Sequence, residues 1–180
     1  MALPQLIRAA AIGALVCFPV SSPLTAQAQI GGMVSGADID RITELAGAYG
    51  PAERQFHDID DGPWIRAEMD DVVYTISFFN CTEGENCTSV QLRAWWESDD
   101  AHSLMQMNDW NRHRRFGAAY LDINDNATIE FDVNLTGGVT ALNFDDTLQW
   151  WQLVLTEFVE TVIEPGYAGA GHGAGGTLVK

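Results

Sequence analysis

Two cysteines, Cys81 and Cys87, flank a short polar loop and are the first residues whose chemistry could matter. Five residues separate them, which differs from the two-residue spacing of redox-active pairs. A zinc site needs about four ligands, and the nearest histidines along the chain are His57 and His102. Both cysteines end predicted strands, where facing Cα atoms come within disulfide reach. The sequence therefore predicts a structural disulfide, with a redox pair and a metal site as the alternatives.

No enzyme motif surrounds the histidines, although histidine is the usual acid or base near neutral pH. None of them lies in a G-x-S-x-G, H-E-x-x-H or H-x-H pattern. A metal hydrolase or a Ser-His-Asp enzyme therefore has no recognisable set of residues. We expect no catalytic residue, no cofactor, no metal site and no enzymatic activity. The histidines are His57, His102, His113 and His172.

The segment from Asp122 to Glu130 alternates oxygen-bearing side chains, as a calcium-binding loop does. An EF-hand loop also needs glycine at its sixth position and glutamate at its twelfth. Those positions hold Ala127 and Val133, so the EF-hand motif fails. We expect an Asn- and Asp-rich turn between two strands here.

The chain is strongly acidic, with 25 Asp and Glu residues against 9 Lys and Arg residues and a formal net charge of −16. Such a surface repels phosphate groups and anionic lipid headgroups, which disfavours nucleic acid as a partner. The one basic patch, residues 112–115, ends a predicted helix, where cations complement the helix dipole. High negative charge also favours solubility after export.

Residues 1–28 have the pattern of a secretory signal peptide. Arg8 supplies the positive start, an apolar run of about a dozen residues follows, and Ala26 to Ala28 fits a small-x-small cleavage pattern. The apolar run is too short to span a bilayer, which takes ~20 residues. We expect cleavage before Gln29, a periplasmic or secreted mature protein, and no membrane insertion after cleavage. An uncleaved anchor is the alternative.

The rest of the chain has the length of one domain. Residues 29–36 are Gly-rich and aperiodic, which predicts a flexible leader, and residues 165–180 predict a disordered Gly-rich tail. Residues 37–164 predict helices at 37–49, 101–115 and 144–163, and strands at 54–58, 64–69, 72–79, 89–96, 116–123 and 127–135. This order, α-β-β-β-β-α-β-β-α, predicts an α+β fold in which three helices pack on one antiparallel sheet of about five to six strands.

The last predicted helix, expected to start at Phe144 with Asn143 as its cap, has more apolar surface than one sheet contact needs. One stripe of apolar residues at helical spacing should pack on the sheet. Trp150 and Leu153 fall on the far side of the helix at 100° per residue. Either the helix is sunk in the core, or Trp150 and Leu153 belong to an exposed apolar patch that binds a partner. The stripe consists of Phe144, Leu148, Trp151, Leu155, Phe158 and Val162.

The second predicted helix places one polar residue among apolar ones. Leu104, Met107 and Asn111 share a face, and Trp110 lies at its flank. A buried amide must find hydrogen-bond partners, so we expect Asn111 to bond the backbone of a loop or strand edge. A ligand contact is the alternative for Asn111.

Several short motifs run through the domain: Tyr74 to Cys81, Cys87 to Leu92, Trp110-Asn111, Phe116 with Tyr120, and Gly137-Gly138-Val139. Together they resemble the YbjN family, whose members are described as bacterial sensory transduction regulators. The resemblance covers residues 37–163. It implies similarity in fold to the type III secretion chaperones, which are small α+β proteins, commonly dimeric, that hold client segments. It brings no established active site.

These observations favour an exported, non-enzymatic binding or regulatory module. It would bind a protein segment or form a homodimer through its sheet and last helix. The candidate interaction residues are Trp150, Leu153, Trp110 and Asn111. The alternative is a periplasmic sensor of a small ligand or metal that uses Asn111, Trp110 and nearby acids.

Overall fold

A six-stranded antiparallel sheet with helices on one face accounts for most of the residues that the structure describes. The computed structural model describes residues 31–56, 63–97 and 102–164. The predicted signal peptide (residues 1–28) and Gly-rich tail (residues 165–180) lie outside these residues. Within the described part of the chain, no helix is long and apolar enough to cross a membrane.

The predicted α+β class is confirmed, with three helices and a six-stranded antiparallel sheet, and two short strands that were not predicted, one before the first helix and one before the last, are added to the order. The strands are β1 (Met33–Val34), β2 (Ala52–Phe56), β3 (Pro63–Met69), β4 (Val72–Phe79), β5 (Ser89–Trp96), β6 (Ala118–Leu121), β7 (Ala127–Asn134) and β8 (Val139–Thr140). The helices are α1 (Ile39–Ala46), α2 (Leu104–His113) and α3 (Ala141–Phe158), which continues into a π-helical turn (Val159–Ile163).

The strand order in the large sheet is β2-β3-β4-β5-β7-β6. Strands β2 to β5 form the predicted meander, in which each strand pairs with the next one along the chain. The connection through α2 then carries the chain past the position of β7. As a result β7 pairs with β5, and β6 becomes the outer strand.

Alternating residues bury one face of the sheet against the helices. In β3, Ile65, Ala67 and Met69 are buried, and the residues between them are half-buried or exposed. The same alternation places Tyr74, Ile76 and Phe78 of β4, and Val90, Leu92 and Ala94 of β5, in the core. Because successive strand side chains point to opposite faces, burying one set directs the other set away from the helices.

Helix α3 supplies the largest part of the helical layer. All six residues of its predicted stripe are buried. Trp151 is fully buried, with its ring centroid 5.8 Å from that of Tyr74 on β4. Phe158 packs on Trp96 of β5 at 5.4 Å and meets the Trp110 ring edge-on at 5.1 Å. These aromatic contacts tie α2, α3 and the central strands into one core.

The predicted start of the last helix, at Phe144 with Asn143 as its cap, was wrong. The helix begins at Ala141, and the hydroxyl of Thr140 accepts a hydrogen bond from the Asn143 N–H at 3.1 Å. Thr140 is also the last residue of β8 and pairs with Met33 of β1, and the Ala141 N–H donates to the Gly32 carbonyl at 2.9 Å. Threonine is a favoured N-cap residue, so Thr140 was the local signal for this start.

The expectation of a flexible leader over residues 29–36 also needs correction. Met33 and Val34 form β1, the side chain of Val34 is fully buried, and Gly36 forms a β-bridge with Cys87. A Cβ atom on Gly36 would collide with the carbonyl of Cys87. Glycine therefore permits this close backbone approach, although a Gly-rich composition suggested a loose segment.

The predicted disulfide is present between Cys81 and Cys87. It closes the β4–β5 connection, and a backbone bridge between Thr82 and Glu85 narrows the same loop. Cys87 is buried and Cys81 is half-buried. Cys87 also forms the β-bridge with Gly36, so the closed loop packs against the N-terminal segment of the domain.

Reduction of this disulfide should lower the melting temperature and leave the fold intact. Closing so short a loop stabilises by about 2 kcal/mol in the chain-entropy model, which corresponds to roughly 4–8 °C for a domain of this size. Circular dichroism melts with and without reductant measure the change. A double variant, Cys81→Ser with Cys87→Ser, should have the melting temperature of the reduced protein, and reductant should not change it. A variant as stable as the oxidised protein would contradict the structural role.

Candidate protein-binding surface

The face of the sheet that points away from α3, here called the open face, has no described helix packed on it. Three of its side chains are large, apolar and exposed, namely Val73 (41 %), Phe79 (45 %) and Trp95 (44 %). Val73 on β4 and Trp95 on β5 lie at one end of the sheet, two residues beyond the paired residues Thr75 and Arg93. Phe79 pairs with Ser89 at the other end. Of the residues that the strand register places on this face, Thr128 is fully buried. The open face is formed by Glu53, Gln55, Trp64, Arg66, Glu68, Val73, Thr75, Ser77, Phe79, Ser89, Gln91, Arg93, Trp95, Ala118, Tyr120, Thr128, Glu130, Asp132 and Asn134.

Sequence reasoning did not select Trp95 or Phe79 as candidate interaction residues. The strand alternation had nevertheless placed Trp95 in the same series as Gln91 and Arg93. A tryptophan in an otherwise polar series is the signal that could have identified this surface, since such a position is not needed for the core.

A polar network organises one end of the open face. The Arg93 guanidinium lies 5.6 Å from the Trp95 ring centroid and 4.0 Å from an Asp122 carboxylate oxygen. The Tyr120 hydroxyl donates to Glu130 at 2.9 Å. Burial, and then the bond to Glu130, raise the pKa of Tyr120 to about 12. Arg93 therefore links the Trp95 ring to the Asp122 loop.

The Asp122 loop is an Asn- and Asp-rich turn, as predicted. One carboxylate oxygen of Asp122 accepts from the backbone N–H groups of Asn124 (2.8 Å) and Asn126 (3.0 Å), and the other accepts from the Asn126 amide. Desolvation opposes ionisation, but these donors hold the pKa of Asp122 below its usual range. The donors are in the loop itself. In residues 31–56, 63–97 and 102–164, no three His, Cys, Asp or Glu residues are grouped as a metal site.

Asn111 bonds a strand-edge backbone, as predicted. Its amide nitrogen donates to the Ala119 carbonyl and its amide oxygen accepts from the Ala119 N–H, both at 2.8 Å. The expectation that Asn111 is buried was wrong, because the residue lies at the rim of α2 and is exposed. Ala119 belongs to the outer strand β6, so the Asn111 side chain occupies the position that another strand would take at this edge.

Trp110 belongs to the core. Its ring is 4 % exposed, its indole N–H donates to the Gly117 carbonyl at 3.3 Å, and the Arg114 guanidinium lies 5.4 Å from the ring centroid. A cavity of about 260 Å³ lies beside it, between α2 and the π-helical turn. Small-ligand pockets usually measure about 300–1,000 Å³, so the sensor hypothesis stays a prediction. The cavity is lined by Gln106, Asp109, Trp110, His113, Arg114, Thr161 and Val162.

Trp150 and Leu153 are half-buried, which falls between the two expectations for the last helix. The Trp150 ring packs on Phe116 at a centroid distance of 4.7 Å, and Phe116 packs in turn on Phe131 of β7 at 5.7 Å. Phe116 follows α2 and covers the second apolar side of α3. The apolar excess of this helix is therefore largely satisfied within the domain.

Replacing Asn111 with alanine should destabilise the domain by about 1–3 kcal/mol, because two hydrogen bonds are lost and the Ala119 groups become unpaired. It should also promote association through the newly exposed edge of β6. Chemical denaturation measures the first effect and light scattering the second. Asn108→Ala removes an exposed amide from the same helix and is the matched control. An Asn111→Ala protein that matches this control in both assays would contradict the edge role.

Comparison with known proteins gives one match. A family model described as "YbjN: Putative bacterial sensory transduction regulator" matches residues 38–164. The search of curated proteins and the search of solved structures each gave no significant match. The matched segment runs from the N-cap of α1 to the end of the π-helical turn and so includes the whole six-stranded sheet. The chain therefore belongs to the YbjN family.

Proposed function

We propose that this chain is an exported, non-catalytic regulatory module that binds a protein partner on its open face. The observation that carries the proposal is the exposure of Val73, Phe79 and Trp95 on a sheet face that no described helix covers. The aromatic rings of Phe79 and Trp95 lie on adjacent strands, and each is about half exposed to water. Contact with another protein would remove them from water.

The open face supports binding better than the last helix does. Trp150 is already packed on Phe116, and Leu153 is half-buried beside it. A partner would therefore gain little further apolar burial at these two residues. Of the two surfaces expected to bind a partner, the sheet and the last helix, we therefore retain the sheet. Trp150 and Leu153 then have a packing role within the domain.

The size and type of these side chains favour a protein partner. Burying a large apolar side chain is worth about 1.5–3 kcal/mol, and aromatic residues dominate the energetically important positions of protein interfaces. The two ends of the open face, Trp95 with Val73 and Phe79 with Ser89, lie six residues apart along β4. At ~3.3 Å per strand residue, this span suits a polypeptide segment or another domain better than a compact metabolite.

The regulatory assignment rests on the family, and the non-catalytic assignment on the site. On the open face, the Tyr120 hydroxyl is bonded to Glu130, and the Arg93 guanidinium lies between Asp122 and the Trp95 ring. The described histidines, His102 and His113, lie elsewhere, before α2 and within it. These placements support a binding role.

Photo-crosslinking tests the open face directly. A benzophenone amino acid at Val73 or Ser77 should give an adduct of defined mass in the native host, because both side chains point from the open face. The same group at Met105, which is 73 % exposed on α2, should give none. Trp95→Ser should abolish the adduct and leave the melting temperature within about 2 °C, since the ring is half exposed.

Mass spectrometry of the adduct separates a different protein from a second copy of the chain. Adducts of equal yield at Met105 and Val73, or adducts that survive Trp95→Ser, would contradict binding by the open face.

Export has its own test. Signal cleavage before Gln29 should give a mature protein that lacks residues 1–28 and contains no free thiol, because Cys17 leaves with the signal and Cys81 bonds Cys87. Intact mass and thiol titration of the protein from the exported fraction measure both properties. A chain that keeps residues 1–28 and remains with the cytoplasmic fraction would contradict export.

A further inference from the structure

We propose that the partner of the open face is a cationic polypeptide segment with apolar side chains, rather than a second copy of this chain. The inference rests on the proposed function and identifies the chemistry of its partner. It depends on how charge is distributed around the exposed apolar residues.

Each described turn that joins two strands of the large sheet along the chain carries two carboxylates. The described turns of this kind are β3–β4, β4–β5 and β6–β7, and none contains Lys, Arg or His. The β7–β8 turn, residues 135–138, leaves this sheet and has no charged residue. Asp70 and Asp71 form the first turn, next to Val73. Glu97 follows β5, next to Trp95. The carboxylates of these three turns, with Glu97, are Asp70, Asp71, Glu83, Glu85, Asp122, Asp125 and Glu97.

The positive charges on the open face do not reverse this balance. Arg93 is within 4.0 Å of Asp122 and lies against the Trp95 ring, so its charge is already compensated. Arg66 is the second arginine on this face, and the register places it opposite Glu53 of β2. Glu68, Glu130 and Asp132 add further negative charge to the same face. Carboxylates therefore predominate beside both apolar ends, with Asp70, Asp71 and Glu97 at the Trp95 end and with Glu83 and Glu85 in the loop that follows Phe79.

A second copy of the chain is a poor occupant for this surface. A two-fold interface brings the same patch of each copy together, so acidic turns would approach acidic turns. The whole chain carries a formal charge of −16, and like charges across an interface oppose association. A cationic segment would be attracted both by the acidic turns and by the net charge of the chain. Its apolar side chains would cover Trp95 and Phe79.

Defined peptides provide the test. The probes are two 12-residue peptides, one alternating lysine with valine and one alternating glutamate with valine, measured by fluorescence anisotropy against the oxidised exported chain. The lysine peptide should bind at least tenfold tighter than the glutamate peptide. Raising the salt concentration from 50 to 300 mM should weaken its binding several-fold. Trp95→Ser should weaken it at both salt concentrations.

A matched pair of charge variants tests the position of the acids. Asp71→Asn with Glu97→Gln, beside the open face, should weaken lysine-peptide binding at least threefold. Asp109→Asn with Asp146→Asn removes the same charge from the exposed surfaces of α2 and α3 and should leave the affinity unchanged. Equal effects of the two pairs, or no effect of Trp95→Ser, would show general charge attraction and overturn the proposal.

Two outcomes separate this inference from the proposed function. Binding of both peptides with equal affinity, lost in Trp95→Ser, overturns the cationic partner and leaves the open face as the binding site. A concentration-dependent dimer that Trp95→Ser dissociates also overturns the cationic partner and leaves the open face as the binding site. It identifies a second copy of the chain as the occupant. Failure of the crosslinks at Val73 and Ser77 overturns the function itself.

Discussion

The packing of α3 across one face of the sheet is the contact on which the rest of the structure depends. Trp151 is fully buried against Tyr74, and Phe158 lies between Trp96 and Trp110, so one helix unites both halves of the sheet with α2. A strand has only two faces. Once the helices cover one, the alternate side chains of β3, β4, β5 and β7 are committed to the other, and the open face follows directly from the core.

The edges of the sheet and its open face have different roles. At the outer strand β6, the Asn111 amide bonds both backbone groups of Ala119 and so opposes the addition of another strand. On the open face, the Arg93 guanidinium lies over the Trp95 ring, which nevertheless remains 44 % exposed. Association by strand pairing is thus discouraged at this edge, while side-chain association with the face is left available.

Elements with a strong local signal were predicted to the residue. The bounds of β4 and β5, Val72–Phe79 and Ser89–Trp96, match the expectation because alternation and β-branched or aromatic content act within a few residues. Errors arose where a distant segment decides. The second apolar side of α3 is covered by Phe116, which no periodicity within the helix could indicate, and the buried strand β1 is formed by its pairing with β8.

Taken alone, the amino-acid sequence determined the fold class, the family, the acidic charge, the Cys81–Cys87 pairing and the backbone role of Asn111, because each depends on composition, spacing or a local pattern. Only the tertiary structure decided which apolar residues remain exposed. Exposure is a property of packing. Trp150 and Trp95 are both tryptophans on amphipathic elements, yet one is held by Phe116 and the other faces outward on a sheet without a helical cover.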